Sequence, residues 1–131
     1  MEDCKPMSTP LVTNWRKIYA SSLEEFDHTM YCQLIGSLMY LVNTRPDISF
    51  AVNSLSQFMV DPWRVHWTAA KHVLCYIRGT VEYGLVYERS GSVQLAGFTD
   101  VDWARCVEDR KSTSDCCFSI GSGVVSWFNK K

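Results

Sequence analysis

The sequence predicts an α+β chain in which helices come first and strands come last. Three observations carry this reading. Apolar residues recur at helical spacing from Tyr31 to Ile77, the period shortens towards two after Gly79, and Pro46 and Pro62 stand where helices begin. The 131 residues suffice for one domain with a core, and a hydrophobic content of 47% argues against disorder.

Residues 1–28 carry Pro6 and Pro10 and little periodicity, which predicts an extended arm lying on another surface. Ser22-Leu-Glu-Glu25 matches a capping box, with room for a short turn only before Asp27. From Thr29 the pattern changes. Tyr31, Leu34, Ile35, Leu38, Met39 and Val42 fall on one face of a helix ending near Asn43. Pro46 suits the first turn of a second helix, with Ile48, Ala51, Val52, Leu55, Phe58 and Met59 as its stripe. Asp61-Pro62 repeats the start signal and predicts a third helix, with Val65, Ala69, Val73 and Ile77 inward and Gly79 as its stop. None of the three can bury its stripe alone, so residues 29–80 should pack as one helical unit.

Residues 81–131 read as strands. Tyr83 to Glu88 is a short strand, Ser90-Gly91-Ser92 a turn, and Val93 to Asp100 a second strand. Trp103 to Ser114 is a polar connection. Cys116 to Ile120 and Val124 to Phe128 then form a hairpin across Gly121-Ser122-Gly123. The sequence ends on an apolar strand, so it reads as cut short.

Composition narrows the function classes. A formal charge of -1 gives no global basic field, so nucleic-acid binding would need a local patch. The six cysteines form no Cys-x-x-Cys pair, and they read as reduced, packed thiols without a zinc ribbon or a disulfide framework. Met1 to Met7 is polar, with no apolar segment after a basic start, so no secretory signal is expected. No run approaches the ~20 apolar residues of a membrane span. An intracellular chain without a membrane partner follows.

Two stretches carry candidate chemistry. Asp100 and Asp102 are two apart on a predicted strand, so they project on one face with Cα atoms roughly 6.5 Å apart. Hard oxygen ligands at that spacing suit a divalent cation such as Mg²⁺, although Asp at a strand end is more often simple turn chemistry. The third helix carries Arg64, His66, Lys71, His72 and Arg78, with Trp63, Trp67 and Tyr76 interleaved. A basic helix with aromatics can track phosphates and stack on bases, with Lys71 and Arg78 as the binding residues. The plainer reading makes the charges a solvated face and the aromatics core. His72 and Cys75 share a helical face, yet two ligands make no zinc site, and both are taken as structural.

Several ordered blocks carry a resemblance that covers nearly the whole chain. Tyr31-Cys-Gln-Leu-Ile-Gly-Ser-Leu-Met-Tyr-Leu, Thr44-Arg-Pro-Asp-Ile, Leu55-Ser-Gln-Phe-Met, His66-Trp-Thr-Ala-Ala-Lys-His-Val-Leu and Phe98-Thr-Asp-Val-Asp-Trp-Ala resemble the copia-type retrotransposon Pol polyprotein. Met1-Glu-Asp-Cys-Lys-Pro-Met-Ser-Thr-Pro and Asp109-Arg-Lys-Ser-Thr-Ser fit the same family.

The resemblance implies that residues 1–28 follow the reverse transcriptase palm, 29–80 are the thumb and connection region, and 81–131 open a ribonuclease H-like domain. It implies Mg²⁺ as cofactor, an RNA/DNA hybrid and the rest of a Pol polyprotein as partners, and Asp100 as a catalytic metal ligand, with Asp102 as an accessory. Two-metal hydrolysis needs several carboxylates, and the family's later ones fall beyond Lys131. The polymerase Tyr-x-Asp-Asp motif would lie before Met1. The implied function is a truncated Pol fragment, inactive alone, with Asp100 vestigial and no metal tightly held. Arg105 and Asp115 stand where the family usually has Gly, and Cys32 and Cys75 where Arg is common. The alternative is a small interaction protein reusing the fragment, of the kind labelled secreted RxLR effector-like, although the sequence has no Arg-x-Leu-Arg motif.

Overall fold

The computed structural model describes residues 4–19, 24–88, 94–102 and 113–130. Ser22 of the expected capping box, the turn at Ser90 to Ser92 and most of the polar connection, residues 103–112, lie outside this set. The architecture is α+β. Its helices are α1 (Trp15–Ile18), α2 (His28–Leu41), α3 (Ser49–Ser56, entered through a 3₁₀ turn at Pro46–Ile48) and α4 (Arg64–Gly79). Its strands are β1 (Leu95–Asp102), β2 (Thr113–Ile120) and β3 (Gly123–Lys130). The chain divides into two units, Met1–Tyr83 and Gly84–Lys131.

The helical unit has the core that the periodicity predicts. Tyr31, Ile35 and Leu38 from α2, Ile48 before α3, Ala51, Val52 and Leu55 from α3, and Ala69, Ala70, Val73 and Tyr76 from α4 are buried together. Asp27 caps α2 by accepting a hydrogen bond from the Met30 N–H at 2.9 Å, the service that an Asp N-cap renders to an orphan donor. Pro46 begins the 3₁₀ turn, where its missing N–H costs nothing. The Tyr31 hydroxyl donates to the Leu55 carbonyl at 2.9 Å, tying α2 to the end of α3, and burial pushes that phenol up. Met39, expected inward, is exposed.

The third expected helix starts later than Asp61-Pro62 predicts, with Trp63 as its N-cap. The cause is a strand-like contact. The Phe26 N–H donates to the Pro62 carbonyl at 3.0 Å and the Arg64 N–H to the Glu24 carbonyl at 2.8 Å, so residues 62–64 are extended beside residues 24–26. His66 at the third helical position accepts the Trp63 N–H on Nδ1 at 2.9 Å and closes the turn. Further along α4 the buried side is broader than Ala69 and Val73, since His66, His72 and Tyr76 also turn inward.

The arm lies on the chain's own fourth helix. Asn14 adopts a φ of 59° and launches α1, which buries Trp15 against the core. A left-handed φ is least costly for Asn among residues with a side chain beyond Cβ. Leu11, Val12, Tyr19 and Phe26 pack on the same core, and the Phe26 ring stacks on Trp67 with centroids 4.4 Å apart.

The second unit is an antiparallel sheet in the order β1-β2-β3. Leu95 stands opposite Ile120 and Asp102 opposite Thr113, while Ile120 stands opposite Gly123 across the two-residue turn Gly121-Ser122. Gly121 takes a φ of 59° there, the reason for a glycine at this turn. Phe118 faces Ser126 but Ser119 faces Val124, so Val125 is the extra residue of a bulge. Tyr83 to Glu88 is not a strand, a correction to the sequence reading. Its alternation serves contacts to the hairpin instead, through the Tyr87 hydroxyl donating to the Val124 carbonyl at 2.7 Å and the Glu88 N–H to Ser122 Oγ at 2.9 Å.

Candidate functional site

The strand β1 carries both Asp100 and Asp102 near its end. Asp100 is exposed, and the Asp102 side chain lies outside the described residues. Pairing adds what the sequence alone does not show. Asp115 of β2 stands directly opposite Asp100, so the two aspartates are a cross-strand pair, and Asn129 of β3 is the register partner of Asp115. Cross-strand register brought Asp115 in, and register cannot be read from residues 15 apart in sequence; alternation along β2 was the one available hint.

Hard oxygen donors suit Mg²⁺, but two ions need several carboxylates converging on shared positions. Among the described residues no group of three or more His, Cys, Asp or Glu side chains comes together to hold a metal ion. The described donors therefore do not complete a two-metal site, and no hydrolytic step is derived from them.

On α4, Arg64, Lys71 and Arg78 recur every seven residues and so follow one stripe, since seven residues make nearly two turns. Lys71 is exposed at the middle of the stripe. Arg64 Nη1 donates to Glu24 Oε2 at 3.2 Å, and Arg78 Nη1 donates to the Cys4 carbonyl at 2.8 Å. The interleaved aromatic and imidazole rings are engaged within the protein. His66 stacks on Phe58 with centroids 3.9 Å apart. His72 donates from Nε2 to the Thr9 carbonyl and pairs through Nδ1 with the Tyr19 hydroxyl, each at 2.9 Å.

The most developed polar cluster was not singled out by the sequence reading. Arg45 holds Asp47 with both prongs of its guanidinium, Nε to Oδ1 at 2.9 Å and Nη2 to Oδ2 at 2.7 Å. The same group donates to the Thr80 carbonyl at 3.0 Å and to Thr80 Oγ1 at 2.7 Å, just past the end of α4. The Tyr76 hydroxyl donates to Asp47 Oδ2 at 2.9 Å. Arg45 is 7% exposed, so a charge is buried here with its partners supplied. The Arg45 fork holds the Asp47 carboxyl below its ordinary range, and burial pushes the Tyr76 phenol up. Thr44-Arg-Pro-Asp-Ile was the signal. An Arg and an Asp either side of a helix-starting Pro can form such a fork, though nothing in the spacing names Tyr76 or Thr80 as partners.

The chain is 39% identical over its whole length to the retrovirus-related Pol polyprotein from transposon RE2 of Arabidopsis thaliana, of which it spans 9%. It is 38% identical, over 99% of its length, to the corresponding polyprotein from transposon TNT 1-94 of Nicotiana tabacum, of which it spans 10%. The chain belongs to the retrotransposon Pol family. A secreted RxLR effector protein of Plasmopara viticola is 49% identical over 77% of this Pol chain and 72% of that protein. No family model matches, and no solved structure matches. Among the described residues of this Pol chain, no helix is long and apolar enough to cross a membrane.

Proposed function

We propose that this chain is the stretch of retrotransposon Pol that links reverse transcriptase to ribonuclease H, and that it does not cleave nucleic acid by itself. Residues 29–80 then act as the helical thumb or connection region, and β1 to β3 as the opening strands of a ribonuclease H-like sheet. The observation that carries this reading is the placement of Asp100 on the first described strand with Asp115 directly opposite on the second. In an intact two-metal hydrolase Asp100 would be a ligand, with Asp102 beside it; here it is a remnant. Purified chain with Mg²⁺ or Mn²⁺ should leave a labelled RNA/DNA hybrid intact. Metal-dependent cleavage abolished by Asp100→Asn would overturn the proposal.

The natural partners in this reading are an RNA/DNA hybrid and the remainder of a Pol polyprotein, in an intracellular setting. With a net charge of -1, hybrid binding should be weak and steeply salt-dependent, resting on Lys71 and Arg78. A gel-shift affinity unchanged by Lys71→Ala with Arg78→Ala would remove α4 as its source.

A second reading has its own observation, the identity to the secreted RxLR effector protein over most of both chains. In that reading the chain is a small interaction protein that reuses the Pol fold. One reproducible partner in a pull-down, lost when an exposed surface is disrupted, would favour it; recovery of chaperones alone would count against it.

A further inference from the structure

We propose that Cys4 and Cys75 form a reversible disulfide clasp that fastens the arm to α4, made by exchange with a small-molecule disulfide. The arm crosses the last turns of α4 in close register. The Met7 N–H reaches the Cys75 carbonyl at 3.5 Å, the Cys4 carbonyl accepts from Arg78 Nη1 at 2.8 Å, and a Cβ placed on Gly79 would stand 2.9 Å from Pro6 Cβ. Residues 4–7 are thus fixed along the helix from Cys75 to Gly79. The two cysteines are neighbours across that contact, with Arg78 Nη1 3.9 Å from Cys4 Sγ. Both are half-buried, which leaves a small reagent a way in. The other described thiols are placed differently. Cys32 lies against His28 and the Met59 carbonyl, and Cys116 and Cys117 are neighbours on β2 and so point to opposite faces.

The surroundings divide the roles. The neighbouring Cys75 side chain, with the Arg78 guanidinium beside it, draws the Cys4 thiol below its ordinary range, whereas burial pushes Cys75 up. Cys4 therefore attacks and Cys75 resolves. The Cys4 thiol gives its proton to solvent, and the thiolate attacks one sulfur of the small disulfide. Its S–S bond breaks and one thiolate leaves, giving a mixed disulfide on Cys4. Cys75 then gives its proton to solvent and attacks the Cys4 sulfur, releasing the second small thiolate. Two protein thiols are oxidised to one disulfide, and one small disulfide is reduced to two thiols that take up the two protons.

The test uses the full chain, folded, equilibrated over a series of reduced and oxidised glutathione ratios, acid-quenched and mapped by peptide mass spectrometry. The expected result is a link between the Cys4 and Cys75 peptides, with a mass loss of about 2 Da that a reductant reverses. The linked form should unfold at a temperature higher by about 5 °C or more. Cys75→Ser should trap the mixed disulfide on Cys4. Three outcomes would overturn the clasp: both cysteines unlinked while other thiols of the folded chain react, all thiols reduced at every ratio, or an equal yield of the link in urea-unfolded chain. The map of the unaltered chain decides the matter even if a variant fails to fold.

Discussion

The helical and strand units solve the burial problem in opposite ways. The helical unit encloses its apolar stripe, and among the described residues every buried side-chain nitrogen and oxygen has a partner. The strand unit is held by ladder hydrogen bonds, while Leu95 is 71% exposed and Phe98 62% exposed. Backbone pairing fixes the position of a strand, but packing supplies most of its stability. A change of the same chemical size should therefore cost much in one unit and little in the other.

The largest effect should come from the buried fork. Arg45→Ala leaves Asp47 buried in part without its counter-charge and strips two hydrogen bonds from Thr80, at a cost of about 3–5 kcal/mol. Urea unfolding followed by helical circular dichroism should show the loss. A midpoint like that of the unaltered chain would mean that the fork does not hold the helical unit together.

A paired truncation sharpens the contrast. Leu55→Ala opens a cavity where the side chain has no exposure and should cost about 2–5 kcal/mol. Phe98→Ala should cost less than about 1 kcal/mol, within the range of cross-strand pair effects. Equal losses would show that the sheet has cover that its exposed rings conceal.

Acid should weaken the helical unit through the Arg45 fork. Because Arg45 lowers the Asp47 pKa in the folded state, the fork's contribution is fully present above the unfolded carboxylate value near ~3.9. It is lost as pH falls through the folded value. The acid limb of stability against pH should flatten in Asp47→Asn, and an unchanged limb would assign it to other carboxylates. The smallest effect concerns Gly79→Ala. Its methyl would meet Pro6 at 2.9 Å and displace the arm, offsetting the ~1 kcal/mol gain in helix propensity, so global stability should hardly move. Faster amide exchange at Met7 would report the displaced arm; unchanged exchange would show that the arm gives way without loosening.

The same contrast explains what the sequence could disclose. Helical spacing located α2 and α3 because one face of each is buried, and Pro46 marked the entry to α3. The start of α4 was misplaced because a contact between residues 24–26 and 62–64 overrides the local signal at Asp61-Pro62. Tyr83 to Glu88 alternates like a strand, yet it forms no ladder and reaches the hairpin through the Tyr87 hydroxyl and the Glu88 N–H. At the candidate site the local pair Asp100 and Asp102 was legible from spacing. The opposing Asp115 and the Arg45 fork were not, since both depend on partners brought together by folding.

Among the described residues the order β1-β2-β3 leaves β1 and β3 as the outer strands, each with one flank of peptide groups outside the ladder. Such margins template further strands from any chain that drifts past, and no proline stands among residues 95–102 or 123–130 to interrupt them. Crowding during overexpression would thus favour fibrillar stacking seeded from this half of the molecule, and a lysine placed at an outward position of either margin is the simplest remedy.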